Sequence, residues 1–299
     1  MPGMTEARHE HAKGLDGLPS GDALTIILDS HLSAAECVRP AINEIAKASE
    51  LAAEKLQSGG RLIYVGAGSS GLMALADGLE LPGTFGLLTD QVKIILAGGV
   101  GSLNHMAGGY EDDVKRAAAD LDATGINETD CVVCVTASGT APYTLAAAKT
   151  ARASGASVIG MANNAGAELF SHSNIVILLE TPAEVVAGST RMGAGTAQKI
   201  ALNMLSTLMA MRLGHVHDGY MVNLKADNIK LQERACRIIS QISGAGMDDA
   251  ARYLKLAGGS VKVAALIAAG ADDAEDAGRM LASCNQNLRQ ALTFARAGS

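Results

Sequence analysis

Three glycine- and hydroxyl-rich segments of this chain have the composition of anion-binding turns. The first is Gly66-Ala67-Gly68-Ser69-Ser70-Gly71, directly after an apolar run. Small residues there let the backbone approach a phosphate closely, while hydroxyls and the first amides of a following helix donate to it. The second, Thr136-Ala137-Ser138-Gly139-Thr140, repeats the pattern after another apolar run, so Ser138, Gly139 and Thr140 are candidates beside Gly68, Ser69 and Ser70. The third is the polar stretch Glu184–Lys199, which opens a helix-prone run and offers Ser189, Thr190 and Lys199. Cations in a first helical turn oppose the helix dipole, which points to a ligand there rather than to an ordinary cap.

Gly66, Gly68 and Gly71 also fit the spacing of a dinucleotide-binding turn. Such a site needs an acid about 20 residues on, at the tip of the next strand, where this chain has Leu96-Ala97-Gly98-Gly99. Paired hydroxyls suit a terminal monophosphate better than a pyrophosphate, so no nicotinamide is expected. Cys131 and Cys134 form a C-x-x-C inside a β-branched run, where residues three apart face opposite sides of a strand. Two buried structural thiols are expected rather than a redox or zinc pair. His215-x-His217 lacks neighbouring ligands of metal spacing and reads as a solvated loop pair, so no metal or other cofactor is expected.

These loops require strands and helices to hold them. Residues 21–58 show apolar positions at three- and four-residue steps, with Pro40 dividing two helices. Five short apolar runs follow, at Arg61–Gly66, Val92–Gly98, Asp130–Thr136, Ser157–Ala162 and Asn174–Leu179, alternating with helical stretches. The pattern predicts an α/β fold with a doubly wound, parallel, five-stranded sheet. A long helix from Met192 to Leu213, a polar connector and a helix over Lys225–Ile242 come next. Beyond Gly244, Asp249-Ala-Ala-Arg-Tyr-Leu matches Asp276-Ala-Gly-Arg-Met-Leu, and Val261-Lys262 matches Leu288-Arg289. Two repeated helix–turn–helix units are expected to form a small C-terminal helical domain. The division expected is an N-terminal helical segment over 1–50, an α/β domain carrying the anion-binding turns over 51–220 and a C-terminal domain over 221–299.

At 299 residues, 48% hydrophobic and 18% charged, the chain has the composition of a globular protein. A net charge of −7 without blocks of Lys or Arg argues against nucleic acid or an anionic membrane as partner, so an anion must be gripped locally. Neither a signal-peptide pattern nor 18 unbroken apolar residues is found, which makes a cytoplasmic location the default expectation.

The motifs taken together resemble the N-acetylmuramic acid 6-phosphate etherases of the sugar isomerase (SIS) domain superfamily. Gly66–Gly71, Ala137-Ser-Gly with Pro142-Tyr143, Glu184-Val-Val, Gly188-Ser-Thr-Arg-Met and Ala194-Gly-Thr-Ala-Gln-Lys199 carry the likeness. It extends from Thr5-Glu6-Ala-Arg8 to Gly258-Gly-Ser-Val-Lys262. The resemblance implies a homodimeric lyase needing no cofactor, which eliminates D-lactate from a phosphorylated amino sugar and returns water to the same carbon. A base must then take the proton beside the open-chain aldehyde, and an acid must protonate the departing ether oxygen. By motif, Glu80 in Asp77-Gly-Leu-Glu80-Leu-Pro82 matches the family's acid/base glutamate, and Glu111 in Gly109-Tyr-Glu111-Asp112 its second one. Without the resemblance each would read more simply as a solvated surface acid.

The chain also departs from the family pattern around the site. Leu72 and Thr140 stand where the family has arginines, Gly193 replaces a lysine, Gly108 a glutamate, and Gly83 a proline. Loss of these groups alters the charge and shape offered to a carboxylated phosphosugar, so the chain reads as a divergent member. Two alternatives stay open at this level: a phosphosugar aldose–ketose isomerase, and a non-catalytic phosphosugar sensor.

Overall fold

A computed structural model describes residues 4–105, 107–226 and 228–297. Two helices open the chain, α1 (Ser20–Glu36) and α2 (Ile42–Gln57), joined by a short 3₁₀ turn over Arg39–Ala41 that contains Pro40. The alternating part follows as β1 (Leu62–Gly66), α3 (Gly68–Phe85), β2 (Val92–Leu96), α4 (Val114–Asp122), β3 (Cys131–Thr136), α5 (Pro142–Ala153), β4 (Ser157–Ala162) and β5 (Ile175–Leu178). After α6 (Gly193–Arg212) come β6 (Val216–His217), β7 (Tyr220–Met221) and α7 (Ile229–Ser243). Helices α8 (Met247–Leu256), α9 (Val261–Ala268), α10 (Ala274–Ser283) and α11 (Leu288–Ala297) end the described chain.

The five predicted strands all form, one or two residues shorter at some ends, and pair in parallel in the order β2-β1-β3-β4-β5. β1 and β3 are buried along their whole length, as expected when helices cover both sheet faces. One face packs Ile63, Val65, Val132 and Cys134 against the alanines of α5 and Leu121 of α4. Cys131 and Cys134 are free, buried thiols, as the alternation in a strand requires. At the opposite ends of β1 and β3 from the glycine loops, Arg61 Nη2 pairs with the buried Asp130 at 2.6 Å.

The chain divides into two compact units, Met1–Gly78 with Asp90–Ser206, and Leu79–Thr89 with Thr207–Ser299. The first contains the sheet together with α1 and α2. The second has its own core, built from Val222, Ile238, Ile239, Leu254, Leu266, Leu281 and Leu292. The internal repeat is realised there as two helix pairs: Met247 to Ala274 and Val261 to Leu288 are each a step of 27 residues. Asn228, Ser260 and Asp273 cap α7, α9 and α10 by accepting a first-turn amide.

Two local expectations are corrected. The segment after α6 is not simply a polar connector, because Val216–His217 and Tyr220–Met221 pair as a short antiparallel hairpin. Nor is His215-x-His217 a solvated pair: only 9% of the His217 side chain is exposed, and the His215 Nδ1 atom is buried with no hydrogen-bond partner among the described residues. Hairpin strands of two residues are too short to leave a period in the sequence.

Candidate anion-binding site

β1 is flanked by β2 on one side and β3 on the other, so the strand order reverses between β1 and β3. In open parallel sheets the crevice beyond the carboxyl ends at such a switch point is the usual ligand site. Gly66 stands opposite Val135 in the register, so the first two turns begin at the same level on adjacent strands, about 4.8 Å apart. The sheet therefore brings Gly68, Ser69 and Ser70 beside Ser138, Gly139 and Thr140.

α3 starts at Gly68, and its first amides lack acceptors one turn back. α5 starts at Pro142 without a side-chain cap. Two helix N-termini thus face the crevice with donors to spare. In the second turn, the Thr140 amide and hydroxyl both donate to Ser138 Oγ at 3.2 Å, and Thr136 Oγ1 lies 3.4 Å from it. The turn is organised around that hydroxyl. Ser70 is buried, whereas Ser69 and Ser138 are partly open and Thr140 is exposed.

The third segment differs. The buried Glu184 carboxylate accepts from the amides of Gly193 at 2.8 Å and Ala194 at 2.9 Å, capping α6 with a charge from the chain itself. The α6 N-terminus is therefore already occupied, and anion contacts from this segment must come from the Ser189 and Thr190 side chains. Both are partly exposed. A Cβ at Gly193 would come within 3.1 Å of Glu184 Oε2, so the lost family lysine coincides with a tight contact to the cap.

Thr5 and Asn164 join the second and third segments. Asn164 Nδ2 donates to the carbonyls of Ala137 at 3.2 Å and Ser138 at 3.3 Å, and to Thr5 Oγ1 at 3.3 Å. The Thr5 carbonyl in turn accepts from the Gly188 amide at 3.1 Å. Next to it, buried Asn163 donates to the Leu179 carbonyl at 3.1 Å and accepts from Gln198 at 2.8 Å, tying β5 to α6. Asn163 and Asn164, at the tip of β4, thus hold the loops of three strands together.

Of the two candidate carboxylates, Glu111 is placed at the first turn. A Cβ built on Gly68 would collide with Glu111 Oε1. Burial, with a smaller contribution from the Asp112 charge, pushes the Glu111 carboxyl above its usual range. Glu80 is exposed on α3, in the stretch of that helix that belongs to the second unit. Lys199 is exposed too, and its ammonium donates to Asn203 Oδ1. The orientation of that amide is set by Asp77, a buried acid not singled out from sequence. It accepts from Asn203 Nδ2 at 2.7 Å, Tyr64 Oη at 2.7 Å and Ser206 Oγ at 3.0 Å. Asp77 lies among Ala74, Gly78 and Leu81 on the buried face of α3, and an acid on such a face is the signal that marks it. Among the described residues, no group of three His, Cys, Asp or Glu side chains is arranged to hold a metal.

A family model described as SIS domain matches residues 32–163. The N-acetylmuramic acid 6-phosphate etherase of Deinococcus radiodurans is 38% identical over 291 residues, spanning 97% of this chain and 95% of that protein. The enzyme of the same name from Mycolicibacterium smegmatis is 39% identical over 96% of this chain and 97% of its own length. That from Geobacillus thermodenitrificans is 38% identical over 96% and 98%.

Proposed function

The chain belongs to the N-acetylmuramic acid 6-phosphate etherase family, and from that premise we propose that it cleaves the D-lactyl ether of N-acetylmuramic acid 6-phosphate or a close analogue. The observation that carries this reading is Glu111 set against the anion-binding turn at Gly68, in a chain similar to these etherases over its length. The phosphate is gripped by Ser69, Ser70, Ser138, Gly139, Thr140, Ser189 and Thr190 with the α3 amides, while Lys199 supplies a positive charge. The proton beside the open-chain aldehyde is removed, the carbon–oxygen bond to lactate breaks, and water adds to the carbon that lost it. Glu80 protonates the leaving oxygen and Glu111 is its acid–base partner. A group with this work to do benefits from a carboxyl raised toward neutral pH, the direction in which burial moves Glu111.

The domain roles follow the same reading: 51–220 binds the phosphosugar, 1–50 is an N-terminal helical segment and 221–299 a helical domain. The active form is a cytoplasmic homodimer. Its support is α1, where Leu24, Leu28 and Leu32 form a stripe exposed at 64%, 57% and 57%, an apolar face that a second copy would cover. Among the described residues no helix is long and apolar enough to cross a membrane.

Incubation with N-acetylmuramic acid 6-phosphate in ¹⁸O-labelled water tests the proposal. D-lactate and an N-acetylglucosamine 6-phosphate carrying one ¹⁸O on the former ether carbon are expected. A ketose product without lactate would select the isomerase, and bound but unchanged substrate the sensor.

A further inference from the structure

A buried acid on α3 is held by neutral groups alone. Asp77 accepts from Tyr64 Oη on β1 and from Asn203 Nδ2 and Ser206 Oγ on α6. Among the described residues no Lys, Arg or His pairs with it directly. A carboxylate taken out of water is costly unless its charge is answered, and neutral donors satisfy the oxygens without answering the charge. The cation of this network stands one amide further on: Lys199 Nζ donates to Asn203 Oδ1, one turn away on α6. Tyr64, Asp77, Lys199, Asn203 and Ser206 all belong to the first unit.

The hydrogen bonds run in one direction. Tyr64 is fully enclosed, and burial pushes its phenol well above the ordinary range, with the Asp77 charge adding to the shift, so it stays a donor. Asn203 is constrained on both sides. Asp77 receives its Nδ2 proton, and the Lys199 ammonium, which has donors only, needs its Oδ1. A turned amide would set nitrogen against the ammonium and oxygen against the carboxylate. Asp77 therefore fixes the amide in the orientation that can receive Lys199. Both carboxylate oxygens are taken within the protein, so Asp77 does not meet a ligand itself. Asn203 takes one proton of the exposed ammonium, and an ammonium has three to give.

A long exposed lysine samples many rotamers, and ordering it when a ligand binds costs affinity. A bond formed beforehand lowers that cost, and a carboxylate behind the amide strengthens the bond by polarising it. We propose that Asp77 is a positioning residue for phosphosugar binding: through the Asn203 amide it holds the Lys199 ammonium ready for the phosphate group, a role that rests on Lys199 belonging to the phosphate grip.

The test is a double-mutant cycle on the full-length chain, followed by isothermal titration with N-acetylglucosamine 6-phosphate. Lys199→Met should weaken binding about tenfold or more, as expected for a lost charge-assisted contact. Asp77→Asn keeps the shape without the charge, and Asn203→Ala removes the bridge while Tyr64 and Ser206 still hold the carboxylate. Each should weaken binding about threefold or more, and neither should weaken it further in the Lys199→Met background. The ³¹P resonance of the bound sugar phosphate should move in both variants toward its position in Lys199→Met, a change that a merely structural role would not produce. Asn203→Ala carries the cycle by itself if Asp77→Asn does not fold. Absence of binding by the unmutated chain would overturn the phosphosugar reading and the role of Asp77 with it. Wild-type affinity in Lys199→Met would remove that lysine from the grip and likewise overturn the role of Asp77. Weakened binding in Lys199→Met beside wild-type binding in Asp77→Asn and Asn203→Ala, or losses in those two that persist in full without Lys199, would overturn the role of Asp77 and leave Lys199 in the grip.

Discussion

The Glu111 carboxylate occupies the space that a side chain at Gly68 would need. Gly68 has φ +53°, a left-handed conformation, and a Cβ there would meet Glu111 Oε1. One residue thus satisfies two demands, a backbone turn into α3 and room for the acid. Gly68→Ala should destabilise the protein by about 1–2 kcal/mol for the left-handed backbone alone, with an added loss from displacing Glu111. In Gly68→Ala/Glu111→Ala the second part should be recovered and the first retained. Urea unfolding of the two single variants and the double variant gives the coupling. Strict additivity would show that the two residues do not meet.

The phosphate grip is tested by Ser70→Ala and Ser138→Ala. Each removes a hydroxyl from a different strand's turn, and each lost charge-assisted hydrogen bond is worth roughly 1.5–3 kcal/mol. Isothermal titration with a sugar phosphate should show little affinity left in the double variant. Binding equal to wild type would remove these turns from the site.

The thiols give a simple check on the sheet. Burial pushes Cys131 and Cys134 each up to about 12, so neither is a thiolate at pH 8. Ellman's reagent on the native protein should leave both unmodified until denaturant is added, while the partly exposed Cys37 and Cys236 react. Rapid native labelling at Cys131 or Cys134 would contradict the placement of β3.

In the second unit, burial pushes the Lys262 ammonium down to about 8 and, together with the Lys262 charge, the His215 imidazole down to about 4. Between pH 8 and about 10.5 the unfolded chain holds a proton that folded Lys262 gives up, so stability rises with pH across that window. Between about pH 6.5 and 4 the unfolded chain takes up a proton that folded His215 refuses, so stability falls as pH falls. Each effect is on the order of 3 kcal/mol at full extent. Lys262→Met should raise the melting temperature at pH 7 and flatten the alkaline rise, while His215→Gln should flatten the acid loss. Thermal melts at pH 5, 7 and 9 measure both, and unchanged pH profiles in the variants would contradict the burial of these groups.

Much of the architecture was legible because its signals are local. β-branched runs leading into glycine- and hydroxyl-bearing turns mark β1 and β3, and the 27-residue repeat marks the helix pairs of the second unit. What sequence could not show depends on residues far apart in the chain. Asn164 bonds to Thr5, 159 positions away, and Asp77 bonds to Asn203 over 126. Cation placement pointed to a ligand at α6, but the buried Glu184 cap, nine residues before Gly193, takes that helix end. Only the folded chain shows whether an acid near a helix start points at its amides or away from them.

The assignment of chemistry to two glutamates is the central claim, and lactate release by their amide variants tests it most directly. D-lactate formation from N-acetylmuramic acid 6-phosphate should be measured for wild type, Glu80→Gln and Glu111→Gln, with phosphosugar affinity determined on the same preparations. An amide keeps the shape of the acid but cannot transfer its proton at neutral pH. Glu80→Gln should therefore lose lactate release while binding stays near wild type. Glu111→Gln should slow it by about 10²–10⁴-fold, the usual contribution of a positioned acid–base group. Near wild-type lactate production by either variant would contradict the role of that residue, and no lactate from the unmutated protein despite tight binding would contradict the reading as a lyase.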